Sequence, residues 1–255
     1  MAVELDQVLT IAGSRIKSIP ELIKENHVYW QSRWDKTLLT QALCTAFTSD
    51  MKVKGVANLR EAANLAEVTE MLVASNHVSD GDHATRRKAF QYLGFRDFAE
   101  RCVYIGGLKM MERIPIRILV PAEGMLLIPT PADFDNLKGA LKDIRELRDG
   151  GQLTKDEYDE YHEFLKEYGE RCVDLNDSAK EEREKYTKKG MITFLYPEAT
   201  RSRNGLLQRA PRIVGDNYFP KEKGDRYIFP IMGWGIEEVV RSDQTIKLGR
   251  TTLYT

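Results

Sequence analysis

Two stretches of the chain gather side chains able to do chemistry. In "MLVASNHVSDGDH" (71–83) an apolar run stops at an Asn-His pair, and Asp82 follows His77 by five residues. Neutral imidazole accepts protons well near pH 7, and a carboxylate can fix its tautomer and stabilise the imidazolium that forms. That spacing does not lie on one helical face, so the pair needs a turn, which "VSDG" with Gly81 can supply. The same residues also suit a plain strand-to-helix corner, with Asn76, Ser79 and Asp80 as turn residues and His77 a bystander. In "FLYPEATRSRNG" (194–205) a second apolar run ends at Pro197 and is followed by Glu198, Thr200, Arg201, Ser202 and Arg203. Two forked guanidiniums with hydroxyls about them suit a phosphate; the alternative is a solvated turn with an Arg–Glu pair.

The elements around these stretches must place them together. "MKVKGV" (51–56) alternates like a strand, and "TEMLVAS" (69–75) is a continuous apolar run of the kind covered on both faces. A helical "TRRKAFQYLGFRDFAE" (85–100) follows, then strand-like "CVYIGG" (102–107) and "EGMLLIPT" (123–130). A charged region, 133–189, carries Leu137, Leu141 and Ile144 at helical spacing. Its second helix is marked by Thr154 with Glu157 and a third by Ser178 with Glu181, both in capping-box spacing. "RDGGQLTKDEYDE" (148–160) lacks the spaced acids of a calcium loop and reads as a Gly-terminated helix followed by a new N-cap. "MITFLY" (191–196) and "RYIFPIMGWG" (226–235) return to strand character. Strands alternating with helices predict an α/β fold, a mostly parallel central sheet flanked by helices. In such a sheet the loops at the carboxyl ends of the strands line the ligand crevice, so His77 and the Glu198–Arg203 cluster should share one rim.

Residues 1–50 read as a separate helical region before an α/β domain of 51–255, with the helical insert at about 133–189. In 20–47, Trp30, Trp34, Leu38, Leu39, Leu43 and Phe47 cover a broad arc, which suits packing on several sides or a helix dipping into a bilayer surface. His27 and His162 read as packed or solvated side chains.

Among 255 residues, 38 Lys and Arg balance 39 Asp and Glu, for a net charge of -1, which makes no global case for nucleic acid. The longest apolar runs fall far short of a membrane span. No basic-then-apolar leader opens the chain, and the three cysteines, Cys44, Cys102 and Cys172, are widely spaced in no metal-like pattern. They read as small buried hydrophobes in a reducing, cytoplasmic protein. Cys102 and Cys172 have no histidine beside them in sequence, and Ser75, Ser79 and Ser202 lack an elbow-like glycine setting for a nucleophile. His83, next to Asp82 and near His77, raises a metal-dependent hydrolase as a rival. The spacing is not that of a helical H-x3-H pair, and only His27 and His162 remain to complete such a site.

"NHVSDGD" resembles the N-H-x4-D motif of the glycerophosphate acyltransferases, and "YPEATRS" resembles their F-P-E-G-T-R-S motif, in the same order. "YIFPIMGWG" resembles the family's last motif and "KVKGVANL" (52–59) the segment before its first; the likeness spans about 52–235. Ala199 stands where the family usually has Gly, and Thr130 where lysophosphatidate acyltransferases carry a phosphate-binding arginine. The long helical insert, the R-x-R pair and the N-terminal helical region resemble the soluble, plastid-type glycerol-3-phosphate enzymes. The resemblance implies transfer of a fatty acyl group from acyl-CoA or acyl carrier protein to glycerol 3-phosphate or a lysophospholipid. His77 would act as base and Asp82 as its orienting partner, with no metal or cofactor. Arg201 and Arg203 would hold the acceptor phosphate, with Glu198, Thr200 and Ser202 in the same loop; Lys109 is a further phosphate contact or a solvated lysine. A peripheral contact with the membrane surface fits such a product. A lipid-binding relative with lapsed chemistry is the rival from outside the enzymes.

Overall fold

The computed structural model describes residues 48–77, 82–108, 124–198, 209, 226–234 and 249–254. The expected helix at 20–47 and the residues Lys109, Thr200, Arg201, Ser202 and Arg203 lie outside them. Seven strands and five helices are described. They are β1 (Thr48–Lys54), α1 (Val56–Leu65), β2 (Glu70–Ser75), α2 (Asp82–Tyr92), α3 (Arg96–Arg101), β3 (Cys102–Gly107), β4 (Met125–Ile128), α4 (Pro131–Asp149), α5 (Lys155–Lys188), β5 (Ile192–Leu195), β6 (Arg226–Trp234) and β7 (Gly249–Tyr254). The strands form one sheet in the order β1-β7-β6-β2-β5-β3-β4. The β1/β7, β2/β6, β2/β5 and β3/β5 pairs are parallel and β6/β7 is antiparallel. The α/β reading holds, and β2 lies between β6 and β5 in the middle of the sheet.

The central strands are short and apolar because both faces are covered. Met71, Leu72 and Val73 of β2, Val103 and Tyr104 of β3, and every residue of β5 are buried. Burying each large apolar side chain contributes roughly 1.5–3 kcal/mol. Pro230 sits inside β6, opposite Ala74 of β2. The described pairing with β7 begins only at Met232, so the missing N–H of Pro230 falls where β6 is paired on one side. At the amino ends of the strands, Arg101 ties three chain segments together. It donates to the carbonyls of Gly190 (2.7 Å) and Ala66 and pairs with Glu67. This leaves the carboxyl ends of the parallel strands together on the opposite edge.

Three boundaries depart from expectation. The helix expected at 85–100 is two helices, because Gly94 at φ 87° ends α2 with bonds from Gly94 N to Gln91 O and from Phe95 N to Phe90 O. β1 reaches back to Thr48, into the segment read as helical. The third helix expected from Ser178 does not exist as a separate element: α5 runs unbroken for 34 residues. Neither Gly nor Pro interrupts it near Ser178, so the capping-box spacing there is coincidental.

Most of the helical insert, Leu127–Glu181, belongs to one of the two compact units of the chain. Its α4 starts at a capping box in which the Thr130 N–H and hydroxyl both donate to Asp133 Oδ2 at 2.6 Å. It stops at Gly150, with Gly151 at φ 69° and Gln152 N bonded to Leu147 O. The new start at Thr154 is the second capping box, with Glu157 Oε2 accepting from the Thr154 N–H at 2.8 Å. Buried Tyr161, Leu165, Tyr168, Cys172, Leu175 and Ala179 repeat alternately four and three apart along α5, a seam for an antiparallel neighbour. Leu137 of α4 meets it at Gly169, where an added Cβ would come within 2.9 Å of Leu137 Cδ2.

Candidate active site

β2 ends at Ser75, and the next two residues point their side chains in different directions for different reasons. The Asn76 carboxamide donates to Gly233 O at 2.9 Å and accepts from Gly233 N–H at 2.8 Å. It thereby continues the β2/β6 ladder with a side chain where the backbones part. Asn76 is a strand-end clamp rather than the turn-capping residue that its type suggested. His77 is then free to face the rim, 16% exposed, with its Nδ1 2.9 Å from Asp82 Oδ2. The expected dyad forms.

Asp82 opens α2 and is wholly buried. Its other oxygen, Oδ1, lies 2.9 Å from Arg86 Nη1, one helical turn along. Burial alone would raise the Asp82 carboxyl. The Arg86 guanidinium and then the hydrogen bond and charge of His77 outweigh it and hold the group well below the usual carboxylate range. The aspartate is therefore ionised and accepts the His77 Nδ1–H, a bond that in the neutral tautomer puts the lone pair on Nε2.

Arg86 is also fully buried. It donates to Ser75 Oγ (2.6 Å), Asn76 O (2.8 Å), Asn76 Oδ1 (3.1 Å) and Asp82 O (3.2 Å). One guanidinium thus joins the end of β2 to the start of α2. Burial would lower its proton affinity, but Asp82 and then Tyr196 raise it, so the cation persists. The Tyr196 ring, just past β5, stacks on His77 at 4.3 Å between centroids and 24° between planes. The Arg86 guanidinium carbon lies 5.5 Å from the same ring.

His83 turns inward. Its ring meets Tyr104 at 4.9 Å and Tyr196 at 4.8 Å, both edge-on, and His77 at 6.2 Å. Among the described residues its Nδ1 finds no hydrogen-bond partner. Burial, helped by the charges of His77 and Arg86 and opposed by that of Asp82, pushes the ring down to about 3, so it stays neutral. Among the described residues, no group of three or more His, Cys, Asp and Glu side chains is placed to hold a metal ion. Glu198 lies two residues beyond Tyr196 and is buried. Cys102 and Cys172 are buried, Cys102 donating to Phe98 O at 3.3 Å and Cys172 pushed up to about 11 by burial. Cys172 is therefore not a ready thiolate. Thr130 spends its hydroxyl on the α4 cap.

The structure thus brings His77 and Asp82 together and adds Ser75, Arg86 and Tyr196, which the sequence did not single out for the site; Asn76, read as a turn residue and as the first residue of the N-H motif, becomes a clamp, and His83, raised only as a rival metal ligand, becomes a buried packing ring. Arg86 had a local signal, since it stands four residues after Asp82 at the start of a helix. Asn76–Gly233 and His83–Tyr104–Tyr196 had none, being contacts between distant segments. No family model matches the chain, and no curated protein matches it. Among the described residues, no helix is long and apolar enough to cross a membrane.

Proposed function

We propose that the protein is an O-acyltransferase of glycerophospholipid synthesis. It would move a fatty acyl group from acyl-CoA or acyl carrier protein to a hydroxyl of glycerol 3-phosphate or 1-acylglycerol 3-phosphate. The observation that carries this reading is the 2.9 Å His77–Asp82 pair at the carboxyl end of a central parallel strand, within the sequence N-H-x4-D. His77 Nε2 takes the proton of the acceptor hydroxyl as its oxygen attacks the thioester carbon. The tetrahedral intermediate collapses with breakage of the C–S bond, and the departing thiolate takes the proton from the imidazolium. No enzyme nucleophile is needed because the thioester is already activated. Asp82 holds the tautomer and stabilises the imidazolium. Arg201 and Arg203 would bind the acceptor phosphate, aided by Thr200, Ser202 and Lys109, while Glu198 would orient that loop or the acceptor hydroxyls. The work would be done in the cytoplasm, with the Trp30 and Trp34 segment as a peripheral contact with the membrane surface.

The test is thiol release from an acyl-CoA, and then from acyl carrier protein, with each acceptor and a chelator present. Acceptor-dependent release should appear in the wild type and fall by roughly 100-fold or more in His77→Ala. Equal release in the variant, or none from either donor with either acceptor, would overturn the reading.

A further inference from the structure

Arg86 does more than a helix residue needs to do. It is 0% exposed, and each group it touches frames the dyad: the Ser75 hydroxyl, the Asn76 carbonyl and carboxamide just before His77, and Asp82. Where only packing is at stake, a buried ion pair can often be exchanged for apolar side chains without loss of stability. The two oxygens of Asp82 are divided, Oδ2 to His77 and Oδ1 to Arg86, each at 2.9 Å.

We infer that Arg86 is a positioning residue that sets the proton affinity of the His77–Asp82 pair, keeping the base oriented by a carboxylate yet unprotonated at rest. This rests on the reading of His77 as a general base. With the ring neutral, Asp82 and Arg86 cancel. A proton on the resting ring leaves one uncompensated positive charge in a largely buried site. In the transition state for acyl transfer the imidazolium faces a developing oxyanion, and the balance is restored. Arg86 therefore opposes protonation before the reaction more than during it, which is the condition for catalysis. Without it, Asp82 would act on the ring undiluted and hold a proton there. Among the described residues, the titratable and charged groups facing His77 are Asp82, His83 and Arg86 from α2 and Tyr196 after β5. Tyr104 of β3 is reached through His83, and Glu198 is buried two residues beyond Tyr196.

The experiment follows the ring resonances of His77 by NMR against pH, assigned with His77→Ala, in wild type, Arg86→Gln and Arg86→Lys. The pH profile of kcat/KM for thiol release is measured alongside. Arg86→Gln keeps donors for Ser75 and Asn76 but removes the charge, and should raise the midpoint of the dyad's protonation by about one to two pH units. The acid limb of kcat/KM should move with it. Arg86→Lys keeps the charge and should stay close to wild type. If Arg86→Gln does not fold, the comparison moves to Asp82→Asn against Asp82→Asn/Arg86→Gln, where the buried pair is removed together. The same upward direction is expected there. An unmoved midpoint in whichever background folds overturns the inference and leaves Arg86 a brace of the fold. A shifted midpoint without thiol release in wild type would sink the acyl-transfer reading but not the role of Arg86. Release lost in His77→Ala with an unmoved midpoint would do the reverse.

Discussion

Acidification from pH 7 to pH 5 should destabilise the protein through His83. The ring takes up a proton at its usual 6.5 when the chain is unfolded but only at about 3 when folded. Between those values the unfolded state binds more protons, so stability falls as pH falls through that window and levels off above it. The full difference is about 5 kcal/mol, reached below pH 3, and the share lost between pH 7 and pH 5 is about 2 kcal/mol. Asp82 acts in the same direction but lower. Its folded carboxyl is depressed from 3.8, so its contribution is intact above that value and lost only as pH falls below it. The control is His83→Phe, which keeps a ring against Tyr104 and Tyr196 and removes the Nδ1 that finds no partner among the described residues. Urea unfolding at the two pH values, for both proteins, isolates the histidine as the difference between their slopes. His83→Phe should lose about 2 kcal/mol less than wild type between the two. Slopes that agree within about 0.5 kcal/mol would refute the reasoning, because they would mean that the folded state charges or hydrates His83.

Asn76→Ala leaves the buried N–H and C=O of Gly233 without the two bonds of 2.8 and 2.9 Å that the carboxamide supplies. It should cost about 2–5 kcal/mol in urea unfolding, and a cost under about 1 kcal/mol would show that water replaces the clamp. Thr130→Ala should cost more than Thr154→Ala, about 1–2 against about 0.5–1 kcal/mol, because the Thr130 box is buried and the Thr154 box is exposed. Equal costs would show that burial adds nothing to the cap. Asp82→Asn should lower thiol release by roughly 100- to 10,000-fold and stability by about 3–5 kcal/mol, since Arg86 loses its countercharge. A variant that stays fully active would remove Asp82 from the dyad.

Much of this fold could be read in one dimension because its signals are local. β2, β3 and β5 are apolar runs whose composition reports burial on both faces, and the Thr154–Glu157 cap and the Gly150-Gly151 stop are short-range backbone chemistry. The same rules over-read Ser178–Glu181, where the spacing is right but no breaker ends α5. They under-read Gly94, which splits one expected helix into two.

By itself the sequence determined the described strands other than β7, the helices other than α1, and the presence of an imidazole and a carboxylate at a strand end, because each depends on residues only a few positions apart. Only the tertiary structure decided what those two groups became. Asn76 meets a glycine 157 positions away, Tyr196 stacks on His77 because β5 pairs with β2, and Arg86 is buried between Ser75, Asn76 and Asp82. Charge, burial and orientation at the site come from neighbours that pairing and packing bring together. Their distances in space bear no relation to their distances along the chain.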